Sequence, residues 1–177
     1  MLDLLMKRRS IRRYKDQPVE KEKVEELVRA ALVSPSSRSI NPWEFIVITE
    51  QGLLDKLSSA KEHGSKFLKG APLGIVVLAD GTKSDVWVED TSIASIIIQL
   101  VAESIGLGSC WIQIRNRMQG PNMTSDQYVK EALAIPEHYH VEAIISVGYP
   151  DETRRPYSEE DLDYAKVHLN QFNQTWR

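Results

Sequence analysis

Apolar positions along the chain alternate between helical spacing and the short continuous runs of buried strands. From Pro18 to Val33, Val24, Leu27, Val28, Ala31 and Leu32 recur at helical spacing behind a starting proline, which predicts an amphipathic helix. Ser34-Pro35-Ser36-Ser37 ends it, because a residue before proline avoids the helical region. Trp43 to Thr49 is aromatic and β-branched and predicts a strand. Gly52 to Ala60 predicts a short helix. Gly74 to Ala79, GIVVLA, is uninterrupted and predicts a strand buried on both faces.

Asp90 to Ile105 gives the clearest helical pattern. Asp90 or Thr91 is suited to cap its start, and Gly106 to end it in a left-handed turn. Ile93, Ile96, Ile97, Leu100, Val101 and Ile105 form a wide apolar face that Ala94 and Ile98 extend, so the helix is expected to be central and nearly all buried. Ser109 to Ile114 predicts a third strand, Ser125 to Leu133 a helix, and Glu142 to Val147 a fourth strand stopped by Gly148-Tyr149-Pro150. Ser158 to His168 reads as a last, polar helix. Four strands separated by helices predict a mixed sheet flanked by helices, in a single domain over residues 1–177. Asp151 to Tyr157, DETRRPY, reads as an extended arm. The tail carries Phe172 and Trp176, which are expected to pack on another subunit.

Composition narrows the function classes. Net charge is −3, so any basic patch is local and the molecule as a whole is no match for nucleic acid. The lone Cys110 excludes an intramolecular disulfide and predicts a reducing compartment. No stretch is apolar and long enough to span a bilayer, and the first residues lack the order of a signal peptide. The expectation is a cytoplasmic protein.

Against that acidic background, Lys7-Arg8-Arg9-Ser10-Ile11-Arg12-Arg13 stands out. Arginine forks and a serine hydroxyl suit phosphate oxygens, although a solvated helix end would carry the same charges. Ser34 to Trp43 is a run of small hydroxyl residues followed by Asn41-Pro42-Trp43. It permits close approach of a flat ring, or is simply a helix-to-strand loop. Gly106-Leu107-Gly108 turns a helix into a strand without any dinucleotide or P-loop fingerprint.

These segments, in this order, resemble the nitroreductase family. Arg8 to Arg12, Ser34 to Phe45, Gly106 to Ile112, and Gly148 to Glu152 followed by Arg154 and Arg155 carry the resemblance. It implies an α+β fold with a central mixed sheet of four to five strands. It also implies an intertwined homodimer whose C-terminal arm reaches the partner, with FMN bound at the interface. On that basis Arg8 and Ser10 contact the phosphate, with Arg9 nearby and Arg154 or Arg155 closing on it. Arg12 stands at the pyrimidine edge of the ring. Pro35, Ser36 and Ser37 come from the other subunit, Ser39 and Asn41 bond the flavin, and Gln113 to Arg115 pass its reactive edge. The implied reaction takes hydride from NADH or NADPH and delivers electrons to a nitroaromatic, quinone or enone by ping-pong kinetics. A reductive dehalogenase or a flavin-holding protein without turnover would use the same scaffold.

Other residues carry plainer expectations. Cys110 reads as a core residue and His138 and His140 as surface histidines rather than metal ligands. Trp87 and Trp111 suit either the core or a substrate slot. Arg115-Asn116-Arg117 is a charged stretch that suits an anionic substrate or a nucleotide phosphate.

Overall fold

A computed structural model describes all residues, Met1 to Arg177. In chain order the elements are α1 (Leu2–Lys7), α2 (Lys21–Leu32), β1 (Trp43–Ile48), α3 (Gln51–Leu57), β2 (Leu73–Asp80), α4 (Trp87–Ser104), β3 (Gly108–Gln113), β4 (Met118–Gly120), β5 (Met123–Thr124), α5 (Ser125–Leu133) and β6 (Tyr139–Gly148). Four strands form one sheet in the order β1-β2-β6-β3, and β4 with β5 makes a separate small hairpin.

The sheet is the centre of the molecule because β2 and β6 are covered on both faces. All eight residues of β2 are buried, as its uninterrupted apolar run predicts. Leu73, Ile75 and Val77 face one cluster with Leu27 and Ala31 of α2 and Ile98 and Ala102 of α4. Val76 and Leu78 face the other cluster, with Leu54 and Leu57 of α3, Val129 of α5, and Leu68 of the 3₁₀ turn Lys66–Gly70. This division follows the two-residue period of a strand.

The period breaks once. Val77 pairs with Ala143 and Leu78 with Val141, leaving Glu142 as an extra residue in β6. That β-bulge puts Val141 and Ile144 in the same cluster although they lie three apart in sequence.

Several expectations are corrected. Every strand pair in the sheet is antiparallel, so the sheet is not mixed; parallel pairing is limited to the isolated Ser10–Ser109 bridge. β2 and β3 run in the same direction and are joined across the sheet by α4, but β6 lies between them antiparallel to both, so no two neighbouring strands are parallel. Helix α4 begins at Trp87, a turn before the expected caps, and Gly106 ends it at φ +80°. Ala94 and Ile98 are buried as expected, but Ser95 and Ala102 complete the buried row, and the isoleucine face is not nearly all buried. Ile93 and Ile96 are 39% and 37% exposed. Ser158 to His168 is not a helix but two 3₁₀ turns, Glu159–Asp161 and Tyr164–Lys166. Its side chains are largely exposed, so no buried face supplies the packing that sustains a short helix. Phe172 and Trp176 are exposed within the single chain, at 79% and 52%. No helix is long and apolar enough to cross a membrane.

Candidate functional site

The basic run leaves α1 as extended chain. Ser10 bridges Ser109 in parallel, the Ile11 amide donates to the Ser109 carbonyl at 2.9 Å, and Tyr14 bridges Pro150. The run thereby covers the free edge of β3, where backbone groups would otherwise be unpaired. Ile11 is buried and points inward. Extended chain alternates its side chains, so Arg8, Ser10 and Arg12 share the opposite side. Gly108 makes this contact possible: a Cβ there would stand 2.8 Å from Ile11 Cγ1.

The arm after β6 lies across the same run. The Asp151 amide donates to the Arg13 carbonyl at 2.9 Å, and the Tyr157 amide donates to Met6 at 2.8 Å. Arg9 donates to the Arg155 carbonyl, and its guanidinium carbon lies 4.5 Å from the centre of the Tyr157 ring. Run and arm enclose a concavity of about 210 Å³ lined by Arg8, Arg9, Ser10, Arg12, Arg154 and Tyr157. No acidic side chain lines it. Four guanidiniums and a hydroxyl form a donor set that fits a phosphate monoester.

Glu152 holds the two segments in register. Its Oε1 accepts the Arg12 amide at 2.5 Å and the Arg13 amide at 3.2 Å, while Oε2 pairs with Arg154 at 2.6 Å. Burial acts to raise the pKa of this carboxyl, but the Arg12 amide, the Arg154 charge and the Arg13 amide outweigh it and hold it below the ordinary value. The two arm arginines separate: Arg154 lines the concavity, whereas the Arg155 guanidinium grips Asp161 with bonds of 2.9 and 2.5 Å. Lys7 and Arg13 are surface charges paired with Glu103 and Asp151.

The serine loop is not brought to this concavity within one chain. Its hydrogen bonds go elsewhere: the Ser37 amide donates to buried Asp90 at 2.7 Å, and Arg38 pairs with Asp85. Asp90 therefore ties the loop to α4 rather than capping the helix. Ser36 Oγ donates to Asn41 Oδ1 at 2.7 Å and accepts the Asn41 amide at 2.9 Å, closing the loop on itself. Arg38, Ser39 and Asn41 all have φ near +50°, at 54°, 54° and 52°. Left-handed backbone at non-glycine residues costs energy, and such strain concentrates at functional sites. Pro35 and Ser39 are exposed.

Gln113 lies at the far end of β3 with its amide engaged. Trp111 Nε1 donates to its Oε1 at 2.9 Å, and its Nε2 donates to Glu142 Oε1 at 3.0 Å and to the Arg115 carbonyl at 3.2 Å. Glu142 reaches it because the bulge re-aims the carboxylate; Arg115 Nε stands 4.0 Å from Glu142 Oε2. Cys110 is buried in β3, and burial pushes its thiol pKa up against the nearby Arg12 charge. Trp111 packs on the core, whereas Trp87 lines a cavity with exposed His140. His138 is exposed as well.

Sequence reasoning missed Glu142, Glu152 and the loop-holding role of Asp90. A carboxylate opening an otherwise apolar strand was the available signal for Glu142. Glu152 closes the Gly148 to Glu152 motif, but its role depends on which segment crosses the arm and so was not legible there.

Residues 5–63 and 50–149 match the family model described as the nitroreductase family. An Archaeoglobus fulgidus protein with the provisional name NADH dehydrogenase/NAD(P)H nitroreductase is 35% identical, over 90% of this chain and 91% of its own length. A Methanothermobacter thermautotrophicus protein of the same provisional name is 33% identical, over 97% of this chain and 87% of its own. The solved FMN-dependent nitroreductase from Clostridium difficile R20291 superimposes with a TM-score of 0.96 at 53% identity, covering 97% of this chain and all of that one. With the run, the serine loop, the glycine turn and the arm in family order on this sheet, the chain belongs to the nitroreductase family.

Proposed function

We propose that the chain is an FMN-dependent oxidoreductase. It takes hydride from NADH or NADPH and reduces a nitroaromatic, quinone or enone-type acceptor. One observation carries the reading: a net-acidic chain gathers Arg8, Arg9, Arg12 and Arg154 with Ser10 around a concavity that no acidic side chain lines. The names of the relatives support the choice of FMN and of a nicotinamide donor.

Bound flavin supplies reversible two-electron hydride chemistry. The protein's part is to bind, orient and exclude. Arg8, Arg9 and Arg154 with the Ser10 hydroxyl hold the phosphate, and Arg155 fixes the arm through Asp161. Arg12 presents a cation at the pyrimidine edge, where positive charge favours electron uptake. Glu142 keeps the Gln113 amide in one orientation beside the reactive edge. Donor and acceptor share one slot in turn, which gives ping-pong kinetics.

The site is completed by a second copy of the chain. Ile93 and Ile96 on α4, Leu2 and Leu5 on α1, and the tail aromatics Phe172 and Trp176 leave apolar surface uncovered. The serine loop, with Pro35, Ser36, Ser37, Ser39 and Asn41, then faces the partner's flavin. This assignment also accounts for its having no bond to the basic run of its own chain.

Colour and turnover test the proposal. The purified protein is expected to be yellow, to release FMN on denaturation, to bleach anaerobically with NADH or NADPH, and to recover colour with a nitroaromatic. A protein that neither carries nor takes up FMN overturns it. Yellow protein that no nicotinamide nucleotide bleaches would instead mark a flavin holder. Turnover with a halogenated aromatic and none with nitro compounds would favour the dehalogenase reading.

A further inference from the structure

A second cavity opens at the end of β3 remote from the basic run. It measures about 520 Å³, within the ordinary range for small ligands, and Trp87, His140, Arg115 and Arg117 form its working surface. The Trp87 and His140 rings stack with centroids 5.3 Å apart and planes inclined by 18°. Gly81 admits this packing, since a Cβ there would stand 2.6 Å from His140 Cδ2. The Arg115 guanidinium carbon lies 5.8 Å from the centre of the Trp87 ring. A flat aromatic wall and two guanidiniums thus meet in one concavity.

The cations there are weakly compensated. Arg117 donates to the carbonyl of Asn116 at 2.9 Å and pairs with no carboxylate. Arg115 has Glu142 Oε2 only at 4.0 Å. That oxygen is buried without a hydrogen-bond partner. Asp126 also lines the cavity, but Oδ1 accepts the Val141 amide at 2.7 Å and Oδ2 faces Lys130 at 3.5 Å. Burial, and then the charge of Arg117, hold the Lys61 amine below its ordinary pKa, so a third cation stands close by. An anion would relieve this repulsion.

The site is separate from the phosphate concavity. The four strand steps from Ser109 to Gln113 alone span roughly 13 Å, Arg115 lies two residues beyond, and one FMN carries one phosphate. A ring that stacks and a phosphate that pairs with arginine forks together describe a nucleotide. Nitroaromatic, quinone and enone acceptors bring no such anion.

We propose that this cavity binds the phosphorylated adenosine end of the nicotinamide dinucleotide, with the base against Trp87 and His140 and the phosphate on Arg115 and Arg117. The inference rests on the oxidoreductase reading, which makes that dinucleotide the donor. The phosphate is either the 5′ group common to both nucleotides or the 2′ group of NADPH.

Calorimetric titration of the holoenzyme with 5′-AMP and with adenosine 2′,5′-bisphosphate separates the two. Neither fragment carries nicotinamide, so binding is read independently of flavin reduction. Tighter binding of the bisphosphate assigns the cavity to NADPH, and equal binding assigns it to the 5′-phosphate. Arg117→Ala is expected to weaken the fragment, and to raise KM for the matching dinucleotide, by about tenfold. Arg117→Lys, which keeps the charge, should recover part of both, and Trp87→Leu should weaken the fragment as well. Absence of fragment binding by the wild-type holoenzyme overturns the inference, as does unchanged binding in Arg117→Ala. Either result leaves yellow colour and bleaching, the tests of the oxidoreductase reading, untouched.

Discussion

Glu152 Oε1 accepts the Arg12 backbone amide at 2.5 Å, joining the C-terminal arm to the N-terminal run across almost the whole length of the sequence. The same carboxylate holds Arg154 at 2.6 Å. Removing it should free both walls of the arginine-lined concavity at once. Glu152→Ala is expected to weaken FMN retention by more than tenfold, because it strands two amides and a guanidinium. Flavin fluorescence released on dilution measures the loss.

The same contact sets an acid limit. The folded pKa of Glu152 lies below its ordinary value of 4.5. Its contribution is therefore complete above the ordinary value and is lost as pH falls through the lower folded one. Flavin release followed by acid titration should begin at higher pH, and with a shallower dependence, in Glu152→Gln than in the wild type.

Gly108 is the tightest point between β3 and the run. Gly108→Val places carbon 2.8–2.9 Å from three Ile11 atoms. Overpacking of this kind costs about 1–3 kcal/mol. A lower Tm together with lost flavin is expected, and Ile11→Ala in the same chain should restore part of both. Unchanged flavin content in the single variant would show that the run is not held by this contact.

Among the proposed phosphate donors, Arg8→Ala and Arg154→Ala should each raise the FMN dissociation constant by roughly 10–100-fold, the effect of a charged hydrogen bond worth about 1.5–3 kcal/mol. Arg155→Ala should act more weakly and through the arm, since its guanidinium is held by Asp161. Equal losses for Arg154 and Arg155 would contradict that division. Fluorescence titration of reconstituted apoprotein distinguishes them.

The exposed face of α4 predicts the assembly. Ile93→Asp with Ile96→Asp puts charge on a surface that the proposed homodimer buries. Light scattering should then report a monomer, and flavin should be lost with the dimer because the serine loop no longer meets its site. A dimer that survives this pair of changes would move the interface elsewhere.

Much of the architecture was legible from local pattern. The β2 run, the α2 stripe and the α5 span follow from apolar spacing, because burial acts on every residue of a strand or helix stripe in the same way. The family was legible from the order of the basic run, the serine loop, the glycine turn and the arm, and the close crossing at Gly108 is where the structure needs a residue without Cβ. What the pattern did not contain was direction and orientation. The apolar spacing of α4 included Ala94 and Ile98, which are buried, but only packing brought Ser95 and Ala102 inside and left Ile93 and Ile96 outside. The antiparallel order of the sheet, the bulge that turns Glu142 toward Gln113, and the division of labour between Arg154 and Arg155 likewise depend on contacts between segments distant in sequence. Local periodicity records whether a side chain is buried; which partner buries or pairs it is decided when the chain closes on itself.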